Sequence, residues 1–177
     1  MSLIYFAYGS NMLPRRLTMR CPSARVVGPA IVAGHDLQFS KVSKDGSGKA
    51  TLVRAAAETP GALFEIAEAD LGALDRAEGR GLGYDRIDQF EVEIIGTGRR
   101  VRATTYLATA INRQLKPYDW YLAVVIAGAK YHELGGDYLA RLQEFQHEID
   151  PNEKRESRLG ALAALQAEGF SDYRTLL

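Results

Sequence analysis

Residues 4–13, IYFAYGSNML, join two unlike halves. Ile4, Tyr5, Phe6, Ala7 and Tyr8 read as a buried strand, whereas Gly9, Ser10 and Asn11 suit a tight turn. A strand that stops at a small polar loop holds that loop in a fixed place. Two readings of the loop compete on residues alone. Successive backbone N–H groups, with a glycine that permits unusual dihedrals and a close ligand approach, make a nest for a carboxylate or oxyanion. The plainer reading is a strand-to-helix turn in which Asn11 caps the helix that follows. The further glycines and the Lys-Ser/Thr of a phosphate loop are absent, which argues against a nucleotide.

Outward from this stretch, the chain predicts a short helical turn from Leu13 to about Arg20, then strand character from Ala24 to Ala33. A second half-buried strand is expected around Leu37 and Phe39, beyond Gly34. SKDGSGK reads as a turn, followed by the strand ATLVRAAA and another from Gly61 to Ile66. AEADLGALDRAEG reads as a helix with Leu71 and Leu74 facing the core and Gly79 as its stop, which puts Glu78 at the helix end. YDRIDQFEVEII and RRVRATTYLA form a hairpin across a Gly-Thr-Gly turn, although the apolar alternation of the first is imperfect.

Beyond Pro117 the apolar period changes to helical. YDWYLAVVIAGAK is one helix; DYLARLQEFQHEI is a second, with Asp137 as N-cap and Pro151 as stop; a last one runs from about Glu153 to Gln166. Strands in the first two thirds and helices in the last predict an α+β fold with a largely antiparallel, barrel-like sheet, not alternating parallel βαβ units.

At 177 residues the expectation is one domain, residues 1–177, with about 157–177 as a helical C-terminal extension. Lys plus Arg and Asp plus Glu stand at 22 each, which removes the electrostatic pull toward nucleic acid or an anionic membrane. No apolar run approaches the roughly 20 residues that span a bilayer, and no leader pattern opens the chain. The lone Cys21 allows no internal disulfide and fits a reducing compartment. The expectation is a cytoplasmic protein with a small-molecule partner, as a monomer or homodimer.

Among residues able to carry chemistry, Glu78 stands out in EGRGLGY, directly before a glycine-rich loop. The helix dipole mildly disfavours a carboxylate there, and partial burial would fit it for acid and base work. Tyr106 in the strand TTYLA, and Tyr118 and Tyr121 on one helix face, offer phenols to a pocket or pack in a core. His35, His132 and His147 lack metal-ligand spacing, and no metal is expected. Cys21 has Arg20 and Arg25 nearby to lower its pKa but no matched histidine, which makes it an inert thiol.

YFAYGSNM, GALFEIAEADLGALDRAEGRGLGY, TYLA, YLAVVIAGAK and LGGDYLARLQEFQHEIDPN occur in the order found in the γ-glutamylcyclotransferase-like proteins, and the chain resembles that family over most of its length. The resemblance implies a small mixed barrel, mostly antiparallel, with flanking helices and a cavity in which the loop holds a γ-glutamyl group. It implies Glu78 as the catalytic acid/base, Gly9, Ser10, Asn11 and Met12 along the substrate loop with Tyr8 beside it, and Tyr106 and Tyr121 as pocket tyrosines. Tyr84 would form the rim. One departure is Ala77, where many members carry Tyr or Gln before the Glu-Gly pair, which bears on pocket width.

The reaction so implied closes the α-amine of a γ-glutamyl substrate onto its own γ-carbonyl, giving 5-oxoproline and a free amine, with no cofactor. Two other classes share these residues: a γ-glutamyl or amino-acid binding module, and an enzyme that removes a γ-glutamyl protecting group in biosynthesis.

Overall fold

The computed structural model describes residues 1–177. Its frame is a closed barrel of five strands: β1 (Ser2–Ala7), β2 (Arg25–Val42), β3 (Gly48–Ala67), β4 (Tyr84–Ile94) and β5 (Arg100–Ala108). The order around the barrel is β1-β3-β2-β4-β5. All neighbours are antiparallel except β1 and β5, which meet parallel at Tyr5 and Thr104 and close the ring. The barrel is therefore mixed and mostly antiparallel. No helix is long and apolar enough to cross a membrane.

The strands expected on either side of Gly34 are one element, as are those on either side of Pro60. Gly34 is absorbed as an irregularity, the β2–β3 register shifting between Ala33 and His35 as it does between Val26 and Gly28 and between Gln38 and Lys41, whereas Pro60 stays in register opposite Ile31. Gly34 has a φ of 71°, open to glycine at no steric cost. A shift between Ile87 and Phe90 likewise explains the imperfect alternation of β4, because the one extra residue turns Ile87 outward while Phe90 and Val92 stay buried.

Five α-helices flank the barrel: α1 (Pro14–Thr18), α2 (Glu68–Glu78), α3 (Asp119–Tyr131), α4 (Gly136–Gln143) and α5 (Glu156–Ala167). From Asp119 to Ala129 every residue of α3 is buried, as expected of a helix apolar on all sides. One face of α3 meets the loop after β1: a Cβ on Gly128 would lie 2.6 Å from Met12 Cβ and 2.8 Å from the Leu13 nitrogen. Glycine there lets the helix touch the loop backbone and fix its position.

Several expected helix details are corrected. Asp137 lies inside the first turn of α4, whose N-cap is Gly135, and the helix ends at Gln143, well before Pro151. The following segment instead bridges Glu148 to Tyr118. In α2 only Leu74 is buried; Leu71 is half-exposed. The last helix starts at Glu156, and with the 3-10 turn Tyr173–Leu176 it covers α3: Ala161, Ala164, Leu165, Tyr173 and Leu176 join the same continuous core as the barrel.

Candidate active site

A small cavity opens where six elements converge. Tyr5 comes from β1, and Tyr8, Gly9, Ser10 and Asn11 follow at its end. Ala50 comes from β3, Glu78 from the last turn of α2, Tyr84 and Tyr106 from the paired ends of β4 and β5, and Tyr121 from α3.

Local backbone explains the aim of the acid. Gly79 adopts the left-handed conformation, φ 66°, and ends α2; its N–H bonds back to Arg76 while that of Arg80 reaches the Asp75 carbonyl at 2.9 Å. Glu78 is thus the final helical residue, its side chain 15 % exposed. Asn11 Nδ2 donates to Glu78 Oε1 at 2.6 Å and to the Tyr5 hydroxyl at 3.0 Å. Arg20 donates to Asn11 Oδ1 at 2.7 Å and reaches Glu78 Oε1 at 3.4 Å. Asn11 therefore makes no helix cap; its amide ties the loop to the carboxylate, and Arg20 fixes which way that amide points.

The loop itself is a 3-10 turn, Ser10–Met12, closed by Met12 N–H to the Gly9 carbonyl at 3.0 Å. Gly9 has φ −117° and ψ −144°, in neither the helical nor the extended region, and space beside it is short as well. A Cβ there would meet Ala50 Cβ at 3.0 Å and the Tyr121 hydroxyl at 3.4 Å. Met12 departs from expectation: its side chain is fully buried in the core and lines no part of the cavity. Its carbonyl is held by His132 Nε2 at 2.8 Å.

The five tyrosines divide by hydrogen-bond sense. Tyr84 donates to the Ala50 carbonyl at 2.6 Å, Tyr106 donates to Asp75 Oδ1 at 2.7 Å, and Tyr8 donates to the Tyr106 carbonyl. Their protons are committed, which leaves the phenol oxygens as acceptors. Tyr5 and Tyr121 are the reverse, accepting from Asn11 and from the Ala50 N–H at 3.2 Å and keeping a proton to give. All five stay neutral. Burial raises each phenol, Tyr121 to about 12, and the Glu78 charge adds to the rise at Tyr5 and Tyr8.

Other expected participants lie elsewhere. Tyr118 caps α3 and donates to the Asp45 carbonyl at 2.9 Å, outside the cavity. Ala77 is exposed, so it does not set pocket width. Burial pushes the Cys21 thiol up to about 11, with Asp70 adding to it, against the expected lowering by arginines. Two participants were missed. Tyr5 was read only as a strand residue, and Arg20 only as a neighbour of Cys21. The signal available for Arg20 was its place at the end of the helical turn that follows the loop.

With this geometry in hand, comparison with known proteins gives consistent results. The AIG2-like family model matches residues 58–142, a span that includes Glu78, Tyr84, Tyr106 and Tyr121. Human γ-glutamylcyclotransferase is 28% identical over 158 residues, covering 86% of this chain and 81% of that protein. The bovine protein of the same name is 29% identical over 159 residues with the same coverage. A solved structure of a γ-glutamyl cyclotransferase superposes with a TM-score of 0.82 at 26% identity, covering 90% of this chain and 96% of that one.

Proposed function

We propose, from the premise that this chain is one of the γ-glutamylcyclotransferase-like proteins, that it cyclises the γ-glutamyl group of a small substrate to 5-oxoproline and releases the amine. The observation that carries the reading is the Glu78 carboxylate in the wall of a small tyrosine-lined cavity, tied to the Gly9–Asn11 loop through Asn11.

The chemistry follows from the substrate. Its α-amine, with an ordinary pKa near 8, is mostly an ammonium at neutral pH and is no nucleophile until it loses a proton. Glu78 takes that proton; the amine nitrogen attacks the γ-carbon, closing a five-membered ring. As the amide C–N bond breaks, Glu78 returns the proton to the departing nitrogen; the ring nitrogen sheds its second surplus proton, and the released amine takes one up to leave as an ammonium. The wall divides in a way that suits this ligand: Tyr8, Tyr84 and Tyr106 offer acceptors to an ammonium, and Tyr5 and Tyr121 offer donors to carboxylate or carbonyl oxygens. Curling the flexible chain into a near-attack shape contributes as much as proton transfer, because well-oriented intramolecular reactions reach effective molarities of about 10⁵ M or more.

Lys41 favours a leaving group that carries its own carboxylate. Its ammonium lies 4.9 Å over the Tyr84 ring and makes no ion pair within 4.0 Å, whereas Lys49 is paired to Asp45 and Arg20 to Glu78. Burial lowers its pKa while the Glu78 charge pulls the other way; Lys41 does not itself line the cavity but stands against Tyr84, which does. The carboxylate of a γ-glutamyl amino acid whose leaving group extends past Tyr84 would be drawn to this cation, and a γ-glutamyl amine has no such group.

The test is 5-oxoproline release from γ-glutamyl amino acids and from γ-glutamyl amines of matched side chain. Turnover of the former with kcat/KM about tenfold higher is expected; release from neither contradicts the reading, and preference for the amines would point to the protecting-group enzyme.

A further inference from the structure

Asp75 sits one turn before Glu78 on α2 and does not line the cavity. Its Oδ1 accepts the Tyr106 phenol proton at 2.7 Å, while Oδ2 is held by Arg86 at 2.8 Å and by Arg80 at 3.1 Å. Arg86 is anchored in turn by Asp88 at 2.9 Å. Burial opposes the charge on Asp75, but the Tyr106 hydroxyl and the two guanidinium groups together hold its carboxyl below the ordinary range. At neutral pH it is a carboxylate, and a carboxylate only accepts.

That fixes the direction of the bond. Burial, followed by the Asp75 charge, raises the Tyr106 phenol, so the oxygen keeps its proton and must point it at Asp75. The lone pairs of the Tyr106 oxygen are left for whatever occupies the cavity. A free phenol would rotate and present either sense; this one presents only an acceptor. The Glu78 carboxylate belongs to the same cavity, and the two groups suit a cation held between them.

We infer that Asp75 is a positioning residue: acting through Tyr106, it builds the wall that recognises the α-ammonium of the γ-glutamyl group, in the orientation from which Glu78 takes a proton. This rests on the cyclotransferase reading for the identity of the ligand, but its test reads binding and not turnover. The probes are L-glutamate and glutarate, which share two carboxylates and differ by the α-amine. Calorimetric Kd values for both are measured with the wild-type chain, Asp75→Asn, Tyr106→Phe and the double variant, with thermal melts as the check on folding.

The wild-type chain should prefer glutamate, and each single variant should reduce that preference about tenfold, the size of one charge-assisted hydrogen bond. Glutarate Kd should stay within about twofold throughout, and the double variant should lose no more than the worse single one, because both act on one bond. Equal weakening of both ligands would make Asp75 a scaffold residue and overturn the inference. So would a wild-type chain with no glutamate preference, or variants that keep it. Tyr106→Phe leaves the Asp75 pairs with Arg80 and Arg86 in place, so it still decides the matter if Asp75→Asn does not fold. Failure of the cyclotransferase reading would show separately, as absence of 5-oxoproline from a chain that still distinguishes the two probes.

Discussion

Glu78, Asn11 and Arg20 form a small network centred on the Asn11 amide. Asn11 spends its two amide protons on Tyr5 and Glu78, and its oxygen takes the Arg20 contact. Residue-scale legibility was uneven for a physical reason. Glu78 stood out because it is placed against the helix dipole directly before a left-handed glycine, both of which are local features. Tyr5 and Arg20 did not, since their roles exist only after β1, α1 and α2 are brought together. At Gly9 the structure adds a constraint of space that the sequence does not show, since an added Cβ would come within 3.0 Å of the Ala50 Cβ. Gly9→Val should therefore damage substrate binding far more than Ser10→Ala, by at least tenfold in kcat/KM, since added methyls would press on Ala50 and Tyr121 while the serine loses one hydroxyl. Steady-state kinetics on the two variants checks this. Loss of activity in Ser10→Ala with Gly9→Val tolerated would instead signal a serine nucleophile.

Elements place these residues by close contact. The loop after β1 rests on α3 at Gly128, and His132 at the C-cap of α3 holds the Met12 carbonyl. Burial lowers the His132 pKa below its ordinary 6.5, partly offset by that bond. The sign follows from proton linkage: between the folded and unfolded pKa values the unfolded chain binds more protons, so stability is full above about 6.5 and is lost as pH falls below it. The melting temperature of the wild-type chain should thus fall more steeply from pH 7 to pH 5 than that of His132→Phe, even though the variant starts lower. Parallel slopes would show that His132 titrates alike in both states. Element types were largely legible, because period and turn residues are local signals; lengths were not. Gly34 looks like a break until a partner strand absorbs it as a register shift, Pro60 looks like one although it stays in register opposite Ile31, and Pro151 looks like a helix stop although α4 has already ended at Gln143.

At the scale of the whole molecule, the cavity is a product of closure. Tyr84 and Tyr106 reach it only because β4 pairs with β5, β5 meets β1 in parallel, and β1 carries the loop to the end of α2. The C-terminal segment takes part indirectly. Tyr173 donates to the buried Asp119 at 2.7 Å and Trp120 to Asp150 at 2.9 Å, which steady the start of α3 and with it Tyr121. That parallel closure and the role of the last residues were beyond sequence patterns, since both depend on contacts between distant parts of the chain. With so many elements supporting the site, removing a single proton carrier should leave the frame standing. The decisive measurement is 5-oxoproline release from a γ-glutamyl amino acid by the wild-type chain and by Glu78→Gln, with melting temperatures measured alongside. The amide keeps the shape of the carboxylate and cannot cycle a proton, so the variant should melt near the wild type while kcat falls by about 10²-fold or more. A folded variant that retains more than roughly a tenth of wild-type kcat, well above what loss of a general acid/base leaves, would contradict the assignment of Glu78 as the group that moves the proton.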